Sequence, residues 1–465
     1  MSTSLARGAV LGLLTVVVER GLSFGVLLLL ARSLGAEQFG VFVYVLAGIM
    51  PIQVMADQGV EVAAVKLMAS RPRTRGGVLT LVLALRAGVW VLGAGPVAVW
   101  VLPAWGGCGV STALAGSLLA LVGPSLPYRS FYRAREDMGR VWLIAASDAV
   151  VGAGVVLVAL WLGAGVAGLL VARAVSSLVV TGAVAAAADV RVGWRVPRRR
   201  TAAALLEGAW PLAVNALLLT LMVRLGHLVA MRLLDAEAVG QLGAASRVAE
   251  IISMIPEGVM MAVFPAMAAR RSGIAGLAAD TSAQIGALVL WAVVVCSAGA
   301  LAIMGGLFGD AYVAGGAALQ ILCWSGLTSV TGSVALYRLI SADRQRLLLL
   351  TNAGAASMGV ALQALLVPLG GIKGAAIATI ATLAAGQILL LFHPAGRAAV
   401  VEAWRAVLQP VVLAVGVLVA VWPVSDPALA ALGAGVLFPV GAWLAGVVNR
   451  EALVRLGTEL RRGLR

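Results

Sequence analysis

Arg32-Ser33-Leu34-Gly35-Ala36-Glu37-Gln38-Phe39-Gly40 separates two long apolar runs, and its shape returns as Arg232-Leu233-Leu234-Asp235-Ala236-Glu237-Ala238-Val239-Gly240. The register holds without a gap: Ile52 aligns with Ile252, Asp57 with Glu257, Ala69 with Ala269 and Arg71 with Arg271. Identity is low, but charged and turn residues recur in place. A membrane protein built from two similar halves tends to hold its substrate between them, so the repeat predicts a central cavity.

Composition sets the solvent. The chain has 465 residues, 62% hydrophobic and 12% charged, with a mean hydropathy of +1.03. A soluble domain of that length needs far more polar surface. Apolar runs of roughly 20 residues recur from end to end, each long enough to cross a hydrocarbon core about 30 Å thick. They read as spans Gly8–Arg32, Phe39–Met68, Val78–Leu102, Ser111–Leu126, Val141–Leu162, Gly165–Ala187, Ala203–Leu233, Val239–Ala269, Ser282–Phe308, Ala314–Ile340, Leu347–Val367, Gly374–Phe392, Ala406–Val421 and Ala428–Val448. The expected fold is an all-α polytopic membrane protein of about 14 transmembrane helices. Residues 1–200 and 201–395 are expected as two pseudo-symmetric six-helix bundles. Residues 396–465 supply two further helices and a basic tail.

The net charge of +14 is mainly a topology signal. With the N-terminus inside, the inner segments collect Arg71, Arg73 and Arg75, then Arg129, Arg133, Arg135 and Arg140, then Arg191, Arg195 and Arg198–Arg200, and similar groups onward. The outer connections hold only Arg32, Arg232 and Lys373. This bias predicts both termini in the cytoplasm of a multi-pass plasma (inner) membrane protein, with the basic loops on anionic lipid rather than on nucleic acid. Glu19-Arg20 follow the first apolar stretch with no small-residue cleavage site, so span 1 is expected to be retained rather than removed as a signal peptide. Cys108, Cys296 and Cys323 have neither disulfide nor metal spacing, so no metal or cofactor is expected. Cys108, in an outer loop, is expected to react with a label applied from outside.

Charges inside the spans carry the chemistry, because a charged side chain at mid-bilayer costs about 2.5–3.5 kcal/mol on insertion scales. They concentrate in the first eight spans. Glu19 and Arg20 lie on span 1. Gln53, Asp57 and Glu61 form one stripe on span 2. Arg86, Asp148 and Arg173 lie on spans 3, 5 and 6. Thr220, Arg224 and His227 share a face of span 7, as Arg247, Glu250, Ser253 and Glu257 do of span 8. Later spans offer mostly hydroxyls and amides. Arg20, Arg86, Arg173, Arg224 and Arg247 are the candidate substrate-binding residues. Glu19, Asp57, Glu61, His227, Glu250 and Glu257 are candidates for coupling or gating. Blander readings stand beside these: Arg247 and Glu250 as an internal i, i+3 pair, Asp57 as glue to Lys66 or Arg71, His227 as a packed neutral ring. Several arginines in a low-dielectric cavity suit a phosphate or pyrophosphate, which guanidinium binds bidentately while staying charged. Pro51 and Pro256 allow spans 2 and 8 to bend, so their inner ends are expected to separate and close.

The pattern Leu-Leu-Leu-Ala-Arg32-x-Leu-Gly-Ala-Glu37-x-Phe39-Gly40, followed by Asp57-Gln58-Gly59, resembles the start of the polysaccharide-biosynthesis flippases. These form the Wzx-like branch of the superfamily that also holds the MATE exporters and the lipid II flippases. Ala209-Trp210-Pro211 through Asn215, Ala236-Glu237-x-x-Gly240, Pro256-Glu257 to Pro265 and Tyr132-Arg133-Ala134-Arg135 are similar to that family as well. The resemblance implies no enzyme but a flippase. It would move a lipid-linked oligosaccharide, carried on polyprenyl pyrophosphate, by alternating access. Its partners would be the bilayer and, in the same pathway, glycosyltransferases and a polymerase. A MATE-like exporter of cationic or amphipathic drugs is the alternative on the same fold.

Overall fold

In a computed structural model of the chain, residues 2–55, 57, 60–70, 74–122, 125–188, 199–269, 274–341 and 344–445 are described. Side chains are described for most of these, though not for residues 2–18 or 257–282. Among the described residues there is no strand. The helices run α1 (Ser2–Val54), α2 (Val60–Ser70), α3 (Arg75–Val89), α4 (Leu102–Gly106), α5 (Val110–Val122), α6 (Ser125–Arg133), α7 (Met138–Trp161), α8 (Val166–Ala187) and α9 (Arg199–Leu233). They continue as α10 (Ala236–Ala269), α11 (Ile274–Ala298), α12 (Ala300–Phe308), α13 (Gly316–Leu322), α14 (Ser325–Ser341), α15 (Gln345–Leu391), α16 (Pro394–Val421) and α17 (Pro427–Leu444).

Among the described residues nine helical segments are long and apolar enough to cross a membrane, or ten if the bent pair Ala283–Ala298 and Ala300–Phe308 is one span. Two of the nine contain a sharp break. In α1 it falls at Gly35 (φ 73, ψ 170), and in α15 at Gly371 (φ 55, ψ −134). Each break lies between two of the expected spans, so the helical content is compatible with the fourteen read from sequence. Between α3 and α4 the same span passes through two π-helical segments, Trp90–Ala94 and Val97–Val101.

The sequence repeat has a structural counterpart. Gly35 turns the chain with a positive φ, a conformation that a Cβ makes costly. At the matching place in the second half the chain leaves α9, and Asp235 caps α10 by accepting a hydrogen bond from the Ala238 N–H at 2.7 Å. Past both turns the same positions are buried: Phe39 and Gly40 in one, Val239 and Gly240 in the other.

The chain divides into two compact units with the boundary between Val239 and Gly240. In the first, α1 packs against α7 and α9, α2 against α9, and α5 and α7 against α8. Its inner core joins α2, α3, α6, α7 and α9 through Met68, Leu79, Tyr128, Phe131, Ile144 and Leu205. Helix α9 opens the second sequence repeat, yet its contacts place it in the first unit. In the second unit α11 is the hub, packing on α14, α16 and α17. Val407, Ala414, Phe438 and Ala442, from the two helices outside the repeat, share one core with Val289, Val293 and Val330. Those helices therefore complete the second unit's core.

Candidate functional site

Membrane-embedded charges must meet each other or water, and in the first unit the acids meet arginines across helices. On α1, Glu19 accepts a hydrogen bond from the Arg129 guanidinium of α6 at 2.9 Å. At the junction of α1 and α2, Asp57 lies 2.5 Å from Arg86 of α3, a pair almost closed to solvent. One turn further, Glu61 on α2 accepts from Arg133 of α6 at 2.5 Å. Asp148 on α7 takes both nitrogens of the Arg173 fork from α8, at 2.7 and 3.4 Å. Arg173 also reaches the Ser176 hydroxyl at 3.3 Å. Its guanidinium lies against the bare Cα of Gly152, where an added Cβ would stand 3.0 Å from the nitrogen.

The stripe Asp57 and Glu61, read from sequence as one face, does serve one purpose. Among the described residues its partners are Arg86 for Asp57 and Arg133 for Glu61, not Lys66. Arg71 and Arg271 lie outside the described residues, and Glu257 outside the described side chains. Glu19 turns to Arg129, while Arg20 beside it is exposed. Arg224 and His227 are both buried on α9, which packs on α1 and α2. In the second unit Arg247 and Glu250 form the i, i+3 pair that was the blander reading, at 3.0 Å. Of the five candidate arginines, then, Arg86, Arg173 and Arg247 each hold an acid.

Two placements depart from the sequence reading. Arg129 and Arg133 read as anchors in an inner loop, but residues 125–133 form the helix α6. From there Arg129 reaches Glu19, 11 residues into the first apolar run of the sequence. Cys108, expected to be open to labels, is buried in the turn between α4 and α5. Burial also pushes its thiol pKa up, so little of it is the reactive thiolate.

The second unit uses mostly neutral groups across its helices. The hydroxyls of α14 bond back to their own helix, as at Thr328 and Ser333, and also reach neighbours. Ser329 donates to the Ser253 carbonyl of α10 at 2.8 Å. Gln387 of α15 accepts from Thr331 of α14 and Trp404 of α16, both at 3.0 Å, and donates to the Thr328 carbonyl at 2.9 Å. One amide thereby ties three helices. Arg338 of α14 bonds Glu402 of α16. Among the described residues no group of three or more His, Cys, Asp or Glu is placed to hold a metal ion.

Many long apolar helices, with ion pairs between several of them, define a multi-pass membrane protein. Residues 5–270 match the model of the polysaccharide biosynthesis protein family, so the chain belongs to that family. No curated protein matches it on sequence. Its fold is similar to that of the lipid II flippase MurJ in an inward closed conformation, with a TM-score of 0.71 at 12% identity, covering 93% of this chain and 98% of that one. It is also similar to an inward-facing multidrug resistance MATE family transporter of the MOP superfamily, with a TM-score of 0.64 at 18% identity, covering 83% and 95%. An outward-facing transporter of that kind gives 0.53 at 16% identity, covering 87% and 96%.

Proposed function

We propose that the chain is a flippase. It carries an oligosaccharide precursor linked to polyprenyl pyrophosphate across the cytoplasmic membrane by alternating access, with both termini in the cytoplasm and without catalysing a covalent step. The observation that carries this reading is the family match over residues 5–270, a stretch that also contains the four described cross-helix ion pairs of the first unit. A passive scaffold has no use for charges among apolar helices, whereas a pathway for a charged headgroup does. The lipid tail stays in the bilayer while sugar and pyrophosphate cross through a polar interior. Arg20 and Arg224 are the arginines of spans 1 and 7 proposed to face that headgroup, with Arg86, Arg173 and Arg247 held beside their acids. Glycosyltransferases and a polymerase acting on the same lipid-linked sugar are the expected partners.

The test is reconstitution. Purified protein in liposomes should expose an inner-leaflet, short-chain polyprenyl-pyrophosphate oligosaccharide to an enzyme added outside, and should not move cationic dyes. Dye movement without exposure of the lipid-linked sugar would make the chain an exporter of the MATE kind.

A further inference from the structure

We infer that Arg129 and Arg133 form an anion clamp for the substrate's pyrophosphate, and that Glu19 and Glu61 occupy it when substrate is absent. The inference rests on the flippase reading above and adds to it the residues that grip the headgroup.

Three features converge on α6. Arg129 and Arg133 are one turn apart, so their side chains share a face about 6 Å apart. Each holds a carboxylate from a different helix, Glu19 of α1 at 2.9 Å and Glu61 of α2 at 2.5 Å. Both pairs are more exposed than their neighbour: side-chain exposure is 13% and 28% in the first and 38% and 16% in the second, against 4% for Arg86 and 12% for Asp57. The deeper pair is a fixed strut, while the two on α6 are open enough for an arriving anion to compete for the guanidinium.

Each carboxylate meets its guanidinium through one oxygen on Nη1, a lesser grip than the two-oxygen contact a phosphate can make with the same fork. Two neighbouring guanidiniums, each holding one carboxylate, therefore match a ligand with two linked phosphates. The neighbourhood fixes α6 in place. Arg75 donates to the carbonyl of Met68 at 2.9 Å and to that of Ala134 at 3.5 Å, tying the end of α2 to the chain just past α6. Arg135 stacks over Phe131, and Arg140 over Tyr132. Pyrophosphate binding would displace Glu19 and Glu61 together and free α1 and α2 from α6 in one event. A ligand shifts a conformational equilibrium only by its differential affinity for the two states. Replacing two ion pairs that lock two helices gives this ligand that difference.

The test measures binding of farnesyl pyrophosphate to the full-length protein in nanodiscs. Glu19→Gln/Glu61→Gln keeps the side-chain shape and removes the competing charges. If the clamp is closed about nine-tenths of the time, opening it tightens binding about tenfold. Arg129→Ala/Arg133→Ala should abolish binding. Should that variant fail to insert, Arg129→Lys/Arg133→Lys is read instead and should bind several-fold more weakly, because ammonium lacks the bidentate fork. Unchanged or weaker binding in the glutamine variant, or wild-type binding in the inserted arginine variant, overturns the clamp. The two claims fail separately. Liposomes that do not expose lipid-linked sugar remove the flippase reading even if the clamp binds, and active flipping with unaltered farnesyl pyrophosphate binding in the glutamine variant removes the clamp alone.

Discussion

The two units solve the same problem with different chemistry. In the first, polar groups inside the apolar helices are charged and pair across helices: α1 with α6, the α1–α2 junction with α3, α2 with α6, and α7 with α8. In the second, the polar groups inside are mostly hydroxyls and amides; among the described residues one ion pair, Arg247 with Glu250, closes on its own helix, and one, Arg338 with Glu402, crosses from α14 to α16. Neutral hydrogen bonds fix a core without leaving charge to redirect. Cross-helix ion pairs also hold helices together, but they do so with groups that an anionic ligand can take over. We propose on this comparison that the headgroup's grip lies in the first unit, where four of the five described cross-helix ion pairs fall, and that the α11-centred second unit serves mainly as frame.

The sharpest way to break that comparison is to unbalance the most buried pair. Asp57→Ala leaves Arg86 charged and enclosed, which should cost about 3–5 kcal/mol and abolish stable insertion. Asp57→Leu with Arg86→Met should recover most of that stability, because a buried pair replaced whole by apolar groups is close to neutral. Detergent-resistant monodispersity and thermal unfolding report both. Failure of the double variant to recover would mean that the pair does more than brace α3.

In the second unit the equivalent point of failure is an amide. Gln387→Leu strands the Trp404 indole N–H, the Thr331 hydroxyl and the Thr328 carbonyl, at about 1–3 kcal/mol. Its transport, once folded, should match wild type. A large loss of transport with intact stability would move function into the unit that we read as frame.

The paired turns make a more local contrast. Gly35→Ala forces a Cβ into a φ, ψ region that essentially only glycine adopts and should cost about 1–3 kcal/mol. Asp235→Ala loses a helix cap, at about 1 kcal/mol. Smallest of all, Arg247→Ala should change stability by no more than about 0.5 kcal/mol, since i, i+3 pairs contribute little. A drop in transport in that variant is then a statement about the ligand and not about the fold.

These elements also show what the sequence made visible. The turn at Gly35 and its counterpart at Asp235 were legible because turn chemistry is local and the repeat printed it twice. The stripe Asp57–Glu61 was legible from helical spacing. Its partners were not: Arg86, Arg129 and Arg133 come from other helices, and the segment Ser125–Arg133 has the composition of a basic inner loop although it forms a helix. Gln387 carried no signal, because an isolated amide acquires its role only when α14 and α16 arrive on either side of it. Pairing across helices is a property of packing, and hydrophobic periodicity reports faces rather than neighbours.

The central claim is tested most directly by depleting the protein in its own cells and following the lipid-linked precursor. The account predicts that polyprenyl-pyrophosphate oligosaccharide builds up in the lipid extract while surface polysaccharide falls. Wild-type protein should reverse both, and inserted Arg129→Ala/Arg133→Ala protein neither. An unchanged precursor pool with unchanged surface polysaccharide on depletion would contradict it.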